Sequence, residues 1–123
     1  FLTSLGVSTS QTFSIIETAE ELQRNDEPSP TRSAVLVRRS NSHIRIGTFQ
    51  RLKYFNEYDN IALLLNHLSE NYFTNIKSKK SIETLAENIF LESVKRIAES
   101  IGRIVIAGFV HGVLNTDNLF LHL

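Results

Sequence analysis

Cysteine, methionine and tryptophan are all absent from the 123 residues. Without cysteine there is no disulfide framework and no thiolate chemistry, and a reducing compartment is compatible with the chain. The missing methionine bears on the ends: a translated chain begins with Met, whose removal normally requires a small second residue and not Phe1. The sequence is therefore expected to be a piece of a longer protein, or the product of a broken reading frame. Neither sign of charge is in excess, because 13 basic residues balance 13 acidic ones. That balance gives no electrostatic footprint for nucleic acid or an anionic membrane surface. No apolar run reaches the roughly 18–20 residues that spanning a bilayer needs. Only two prolines occur, Pro28 and Pro30, in the segment NDEPSP. It reads as an exposed loop, since proline lacks a donor and restricts its predecessor. What remains is 41% hydrophobic and 21% charged, an ordinary globular composition sufficient for one modest core.

In chain order, residues 1–5 read as the end of a helix stopped by Gly6. Residues 7–16 are rich in β-branched side chains, and their second half predicts a strand. Residues 17–22 (ETAEEL) are ambiguous, with a local propensity for helix. Residues 34–38 (AVLVR) predict a short strand with buried apolar positions. A helical stretch then begins at Gly47-Thr48-Phe49-Gln50 and runs into Tyr54-Phe55. Phe49, Leu52 and Phe55 share a face there, which suits core packing better than base stacking. Asp59 is placed to cap the following helix, whose Ile61, Leu64, Leu65, Leu68 and Tyr72 recur at helical spacing. His67 lies off that stripe, and no second ligand sits at metal spacing beside it. The basic run KSKK at 77–80 reads as a solvated connection before Ser81, a candidate N-cap. From Ile82 the apolar residues Leu85, Ala86, Ile89, Phe90, Val94, Ile97, Ala98, Ile101, Ile104 and Val105 predict one long helix with a buried stripe. The terminal residues 119–123 (LFLHL) predict a short strand.

Chemistry concentrates in GFVHGVLNTDN at 108–118. Kinase-like enzymes build their catalytic loop with a His, an Asp two residues on and a metal-binding Asn seven residues after the His. His111 and Asn118 keep that frame, but Val113 stands where the Asp would be and cannot accept a proton. An acid, Asp117, sits beside the Asn instead. Taken alone, NTDN also reads as a polar turn. Three arginines, Arg38, Arg39 and Arg45, follow the 34–38 strand; isolated arginines of this kind are usually solvated strand-end charge.

The loop HGVLNTDN, preceded by GF, resembles the catalytic loop of the selenoprotein O (SelO, or YdiU-like) family, pseudokinases that transfer AMP and not phosphate to proteins. A second block, AVLVR continuing to SHIRIGTF at 42–49, resembles the same family's arginine-bearing segment. The likeness is weakest in residues 77–81 and after Asn118. It implies an α+β fold: a protein-kinase-like fragment with a mainly helical large lobe and a few short strands. Residues 1–56 would form a nucleotide-contacting strand and loop region, and residues 57–123 the helical lobe with the catalytic loop. For residues 17–22 the resemblance favours strand.

The same resemblance assigns Asp117 as catalytic proton acceptor, Asn118 as metal ligand, and Arg38 and Arg45 as nucleotide contacts. Forked guanidinium donors suit phosphate oxygens. Arg39 stays a surface residue and His43 holds a turn. The cofactors implied are ATP with Mg²⁺ or Mn²⁺, and the partners are ATP and protein substrates, with no nucleic acid and no membrane. The nucleotide would lie inverted relative to ordinary kinases, exposing its α-phosphate. The setting implied is the cytoplasm of a bacterium, or the mitochondrion in a eukaryote. The family's glycine-rich loop with its lysine, and its Asp-Tyr-Gly metal element, do not occur in the chain. The fragment is thus expected to transfer little AMP alone. Two other readings are open: a catalytically dead or degenerate nucleotide-binding domain, and a small-molecule phosphotransferase of the aminoglycoside-kinase kind. Val113 argues against the latter.

Overall fold

A computed structural model describes residues 2–76 and 81–121. The KSKK run and the end of the LFLHL segment, expected as a connection and a strand, lie outside the described residues. Among the described residues the fold is α+β, with three α-helices and one two-stranded antiparallel sheet. The chain divides into two compact units, residues 10–41 and residues 1–9 with 42–123.

The first unit is a hairpin of β1 (Gln11–Leu22) and β2 (Thr31–Arg39). Its register pairs Thr12 with Arg38, Ile16 with Val35 and Leu22 with Thr31. Residues 17–22 are strand, as the family resemblance implied: cross-strand pairing overrides the helical propensity of ETAEEL. The pairing is irregular between Glu17 and Glu21, where Ala19 takes a positive φ of 59°. A bulge there lets the extra residues bow out of the ladder, and Thr18 Oγ1 donates to the Ser33 carbonyl at 3.3 Å. The expectation of buried apolar positions in β2 is corrected: Val35, Leu36 and Val37 are exposed, and so are Phe13, Ile15 and Ile16. A two-stranded ribbon has no second layer of its own to cover either face.

The second unit is helical. It opens with a single 3-10 turn, Thr3–Leu5, closed by Gly6 in the left-handed conformation. It contains α1 (Ile46–Tyr54), α2 (Tyr58–Asn71) and α3 (Ile82–Ile106). Ser81 caps α3 as its position predicts: its backbone is extended and its Oγ accepts the Thr84 N–H at 3.2 Å. Asp59 does not cap α2. That helix starts one residue earlier, so Asp59 falls in its first turn, where its charge still opposes the positive helix end. Leu65 and Leu68 of α2 meet Leu85 and Ile89 of α3, with Phe73 and Leu121 completing the buried cluster. Ser93 is buried one turn beyond Ile89 and satisfies its hydroxyl on the Ile89 carbonyl at 2.7 Å.

The stripe predicted on α3 is wider than the contact it makes. Leu85 and Ile89 are buried and Ile97, Ile101 and Ile104 half-buried, but Phe90, Val94, Ala98 and Val105 are exposed. One packed face cannot cover apolar residues that spread around more than a third of the helix. Arg96 ties the two long helices together. Its guanidinium lies 4.5 Å from the Phe73 ring centroid, donates to the Tyr72 carbonyl at 3.3 Å, and pairs with Glu92 at 2.8 Å.

Candidate functional site

The helical unit brings the two motif segments into contact. Ile44, Ile46 and Phe49 from the SHIRIGTF block pack against the core that Leu121, just past the 111–118 loop, also enters. Both segments are therefore pinned by the same apolar cluster. The backbone joins them directly: the Leu121 N–H donates to the Ile44 carbonyl at 2.9 Å, and the Ile46 N–H to the Leu119 carbonyl at 3.1 Å. Arg45 and Phe120 form an isolated antiparallel bridge. That single bridge stands where the sequence predicts a strand, within the described part of LFLHL.

The start of α1 explains why this joint forms. A helix leaves its first N–H groups without intrahelical partners. Arg45, the N-cap residue, offers no side-chain acceptor. Carbonyls of the loop take that place, Leu119 for Ile46 and Thr116 for Gly47, the latter at 2.9 Å. Thr116 adds a side-chain link, donating its hydroxyl to Gln50 Oε1 at 2.6 Å across 66 positions of sequence. Gly47 and Gln50, three apart on α1, thus both face the loop.

Within the loop, Asn115 shapes the turn. Its Oδ1 accepts the N–H groups of Asp117 and Asn118, each at 3.1 Å. The polar-turn reading of NTDN is correct as local structure, and it is what presents the next two side chains. Asn118 Nδ2 donates to the Val113 carbonyl at 3.0 Å, leaving its amide oxygen as the end available to a cation. The Asp117 carboxylate lies against the α carbon of Gly47, where a β carbon would collide with it. His111 Nδ1 accepts the Val113 N–H at 3.3 Å, so this His braces the loop. Gly112 turns the chain there with a φ of 74°.

Of the residues named from sequence, Arg45, Asp117 and Asn118 share this unit and the joint between its two segments. Arg45 is exposed, with its guanidinium carbon 5.7 Å from the Phe120 ring centroid. The Phe120 and His43 rings also meet in a T-shaped arrangement, with centroids 6.0 Å apart. Arg38 belongs to the hairpin unit, exposed on β2 opposite Thr12. The oxygen of Asn118 and the carboxylate of Asp117 are the hard donors that Mg²⁺ or Mn²⁺ prefers, so the residues present fit such an ion in part. Among the described residues no group of three or more His, Cys, Asp or Glu side chains could hold a metal ion. Likewise no helix among them is long and apolar enough to cross a membrane.

Sequence reasoning missed Gln50, Thr116, Asn115 and the specific use of Gly47. The signal for Gly47 was visible, a glycine in the first turn of a helix where Ser, Asp or Glu is preferred. Nothing in the linear pattern linked Gln50 to Thr116.

Comparison with known proteins matches residues 1–122 to the family described as protein adenylyltransferase SelO. The chain is similar to the protein nucleotidyltransferase YdiU of Trichodesmium erythraeum, with 50% identity over 119 residues covering 93% of this chain and 25% of the relative. The YdiU protein of a Synechocystis strain is 45% identical over 115 residues, covering 94% of this chain and 24% of its own. That of Clostridium botulinum is 32% identical over 120 residues, covering 96% and 23%. The chain thus spans about a quarter of the length of the curated relatives it matches. No solved structure matches it.

Proposed function

Because the chain belongs to the SelO family of protein adenylyltransferases, we propose that it carries part of the catalytic site of an ATP-dependent enzyme that transfers AMP to hydroxyl side chains of proteins. The observation that carries this reading is the joint itself. The arginine-bearing segment and the His111 to Asn118 loop, far apart in sequence, are held by Gly47 N–H to Thr116 carbonyl, Ile46 N–H to Leu119 carbonyl and the Arg45–Phe120 bridge. A nucleotide site needs a cationic clamp and an acid close together, and the reading is supported by Arg45, Asp117 and Asn118 lying in the same unit.

In the proposed reaction the hydroxyl oxygen of the acceptor attacks the α-phosphorus of ATP. A new P–O bond forms, the bond to the β-phosphate bridging oxygen breaks, and pyrophosphate leaves. Asp117 accepts the hydroxyl proton as that bond forms. Arg45 places guanidinium donors on phosphate oxygens; the family resemblance proposes a nucleotide contact for Arg38 as well. Asn118 would hold the divalent ion through its amide oxygen, with Asp117 adjacent; bound there, Mg²⁺ or Mn²⁺ would neutralise phosphate charge. A kinase-like lobe arrangement and a bacterial cytoplasmic setting belong to the same proposal, the latter supported by the bacterial source of the relatives named above. At a quarter of the relatives' length, the chain by itself is expected to transfer AMP poorly.

The test uses ATP labelled at the α-phosphate, Mg²⁺ or Mn²⁺ and a protein acceptor. Label transfer is followed for the chain alone and for a hybrid in which it replaces the 119 matched residues of the Trichodesmium relative. Transfer by the hybrid, reduced about a hundredfold or more by Asp117→Ala, is the expected result. A hybrid that labels protein equally well with Ala at 117 removes Asp117 from the mechanism.

A further inference from the structure

Glycine in the first turn of α1 leaves a gap in the helix surface, and that gap is occupied. A β carbon on Gly47 would overlap Asp117 Oδ1 and come within 3.4 Å of Asp117 Cγ and 3.5 Å of the Thr116 carbonyl oxygen. The backbone at Gly47 does not require glycine: it is helical, and only Gly6, Gly108 and Gly112 among the described glycines have positive φ. The residue is therefore not explained by its own conformation. The room it leaves for the Asp117 carboxylate is the remaining physical account.

One turn along the same face, Gln50 accepts the Thr116 hydroxyl at 2.6 Å, and the Gly47 N–H donates to the Thr116 carbonyl at 2.9 Å. Thr116 is thus gripped at both its backbone and its side chain by α1. The next residue is the proposed proton acceptor. A loop held by its backbone alone can rotate about the contact; a second grip on the side chain removes that freedom.

We propose that Gly47 and Gln50 are positioning residues for adenylyl transfer: Gly47 makes the seat for the Asp117 carboxylate, and Gln50 fixes through Thr116 the loop that delivers it. This rests on the assignment of Asp117 as proton acceptor. The atom that a new β carbon would meet first is the end of a short, exposed side chain. Such an atom moves aside without unpacking the core. Alanine also favours a helix more than glycine does. The substitution Gly47→Ala therefore separates two effects that usually travel together, since it displaces the carboxylate while leaving the fold as stable or more so.

The experiment measures AMP transfer by the hybrid described above in four forms: unsubstituted, Gly47→Ala, Thr116→Val and Thr116→Ser. Thr116→Ser serves as the conservative control for Thr116→Val. Gly47→Ala is expected to lower kcat by about tenfold to a hundredfold, the cost typical of a misplaced reacting group, while KM for ATP changes little. Its thermal midpoint should be unchanged or raised. In ¹H–¹⁵N spectra of the 123-residue chain the same change should move the amides of Thr116, Asp117 and Asn118 and leave those of Leu65, Leu68 and Leu85 in place. Thr116→Val should lower kcat similarly, and Thr116→Ser should restore it. A full rate with Gly47→Ala overturns the seat, and equal rates for Thr116→Val and Thr116→Ser overturn the Gln50 latch. A fall in rate matched by an equal fall in folded fraction also overturns the positioning role. If the hybrid labels protein equally well with Ala at 117, the reading of Asp117 fails and this proposal fails with it.

Discussion

Asn115 is the residue on which the geometry of the loop turns. Its single carboxamide oxygen accepts two consecutive backbone N–H groups, those of Asp117 and Asn118. A side chain used this way replaces the missing partners of an irregular segment. Asn115→Ala removes the side-chain acceptor and leaves the Asp117 amide to water, while the Asn118 N–H keeps its bond to the backbone carbonyl of residue 115, at 3.1 Å. Exchange of the Asp117 amide hydrogen should then quicken by about fivefold to tenfold, matching the loss of a bond worth about 1 kcal/mol, and that of Asn118 should change less. Asn115→Asp, which keeps an oxygen in place, should exchange at close to the original rate; hydrogen-exchange NMR distinguishes the two. The linear sequence made the polar turn legible, because Asn, Thr and Asp favour turns. It did not make legible which side chain accepts and which are presented. That division depends on the α1 segment, more than sixty positions earlier in the chain, supplying the donors for Thr116 and Leu119.

Among the elements, α3 was the most legible, since its periodicity persists over 25 residues and its cap is local. Ser81→Ala should cost about 1 kcal/mol by urea titration, the usual value for loss of an N-cap acceptor. The pairing of Glu92 with Arg96 gives a second expectation, in pH. The hydrogen bond from Arg96 holds the Glu92 carboxyl below its ordinary value of 4.5. A carboxyl with a depressed folded value contributes stability that is complete above its unfolded value and lost as pH falls through the folded one. The urea midpoint should therefore drop as pH passes below about 4.5, and part of that drop should vanish in Glu92→Gln. In contrast, β1 was only half legible. Its residues 17–22 carry helical propensity, and their extended form is decided by partners on β2, which no local rule contains.

For the molecule as a whole, the distribution of exposed apolar surface is the dominant fact. Phe13 is 82% exposed, and Ile15, Ile16, Val35, Leu36 and Val37 accompany it on the hairpin, while Phe90, Leu91 and Val94 are exposed on α3. Each hairpin strand also has one edge without a strand partner among the described residues. Open edges bearing apolar side chains pair readily with other chains. The isolated chain should therefore associate as its concentration rises, and Phe13→Lys should suppress that association with little change in the far-ultraviolet circular dichroism of the helices. Sedimentation velocity over a concentration series checks this. The sequence marked the apolar positions of residues 34–38 and the stripe with Phe90 and Val94 as buried, because they are apolar. Apolar character alone does not say whether the covering layer is within the 123 residues.

The joint between α1 and the loop is made of peptide groups and of the Thr116 and Gln50 side chains, not of the side chains of Asp117 and Asn118. Its N–H donors and carbonyl acceptors are present whatever side chains stand at 117 and 118. The holder is thus independent of the tool: substitutions at those two positions can alter or abolish chemistry while the mount keeps its form. Variation in this fold can accordingly search among reactions at little cost in foldability, and a variant that has lost its activity need not have lost its shape.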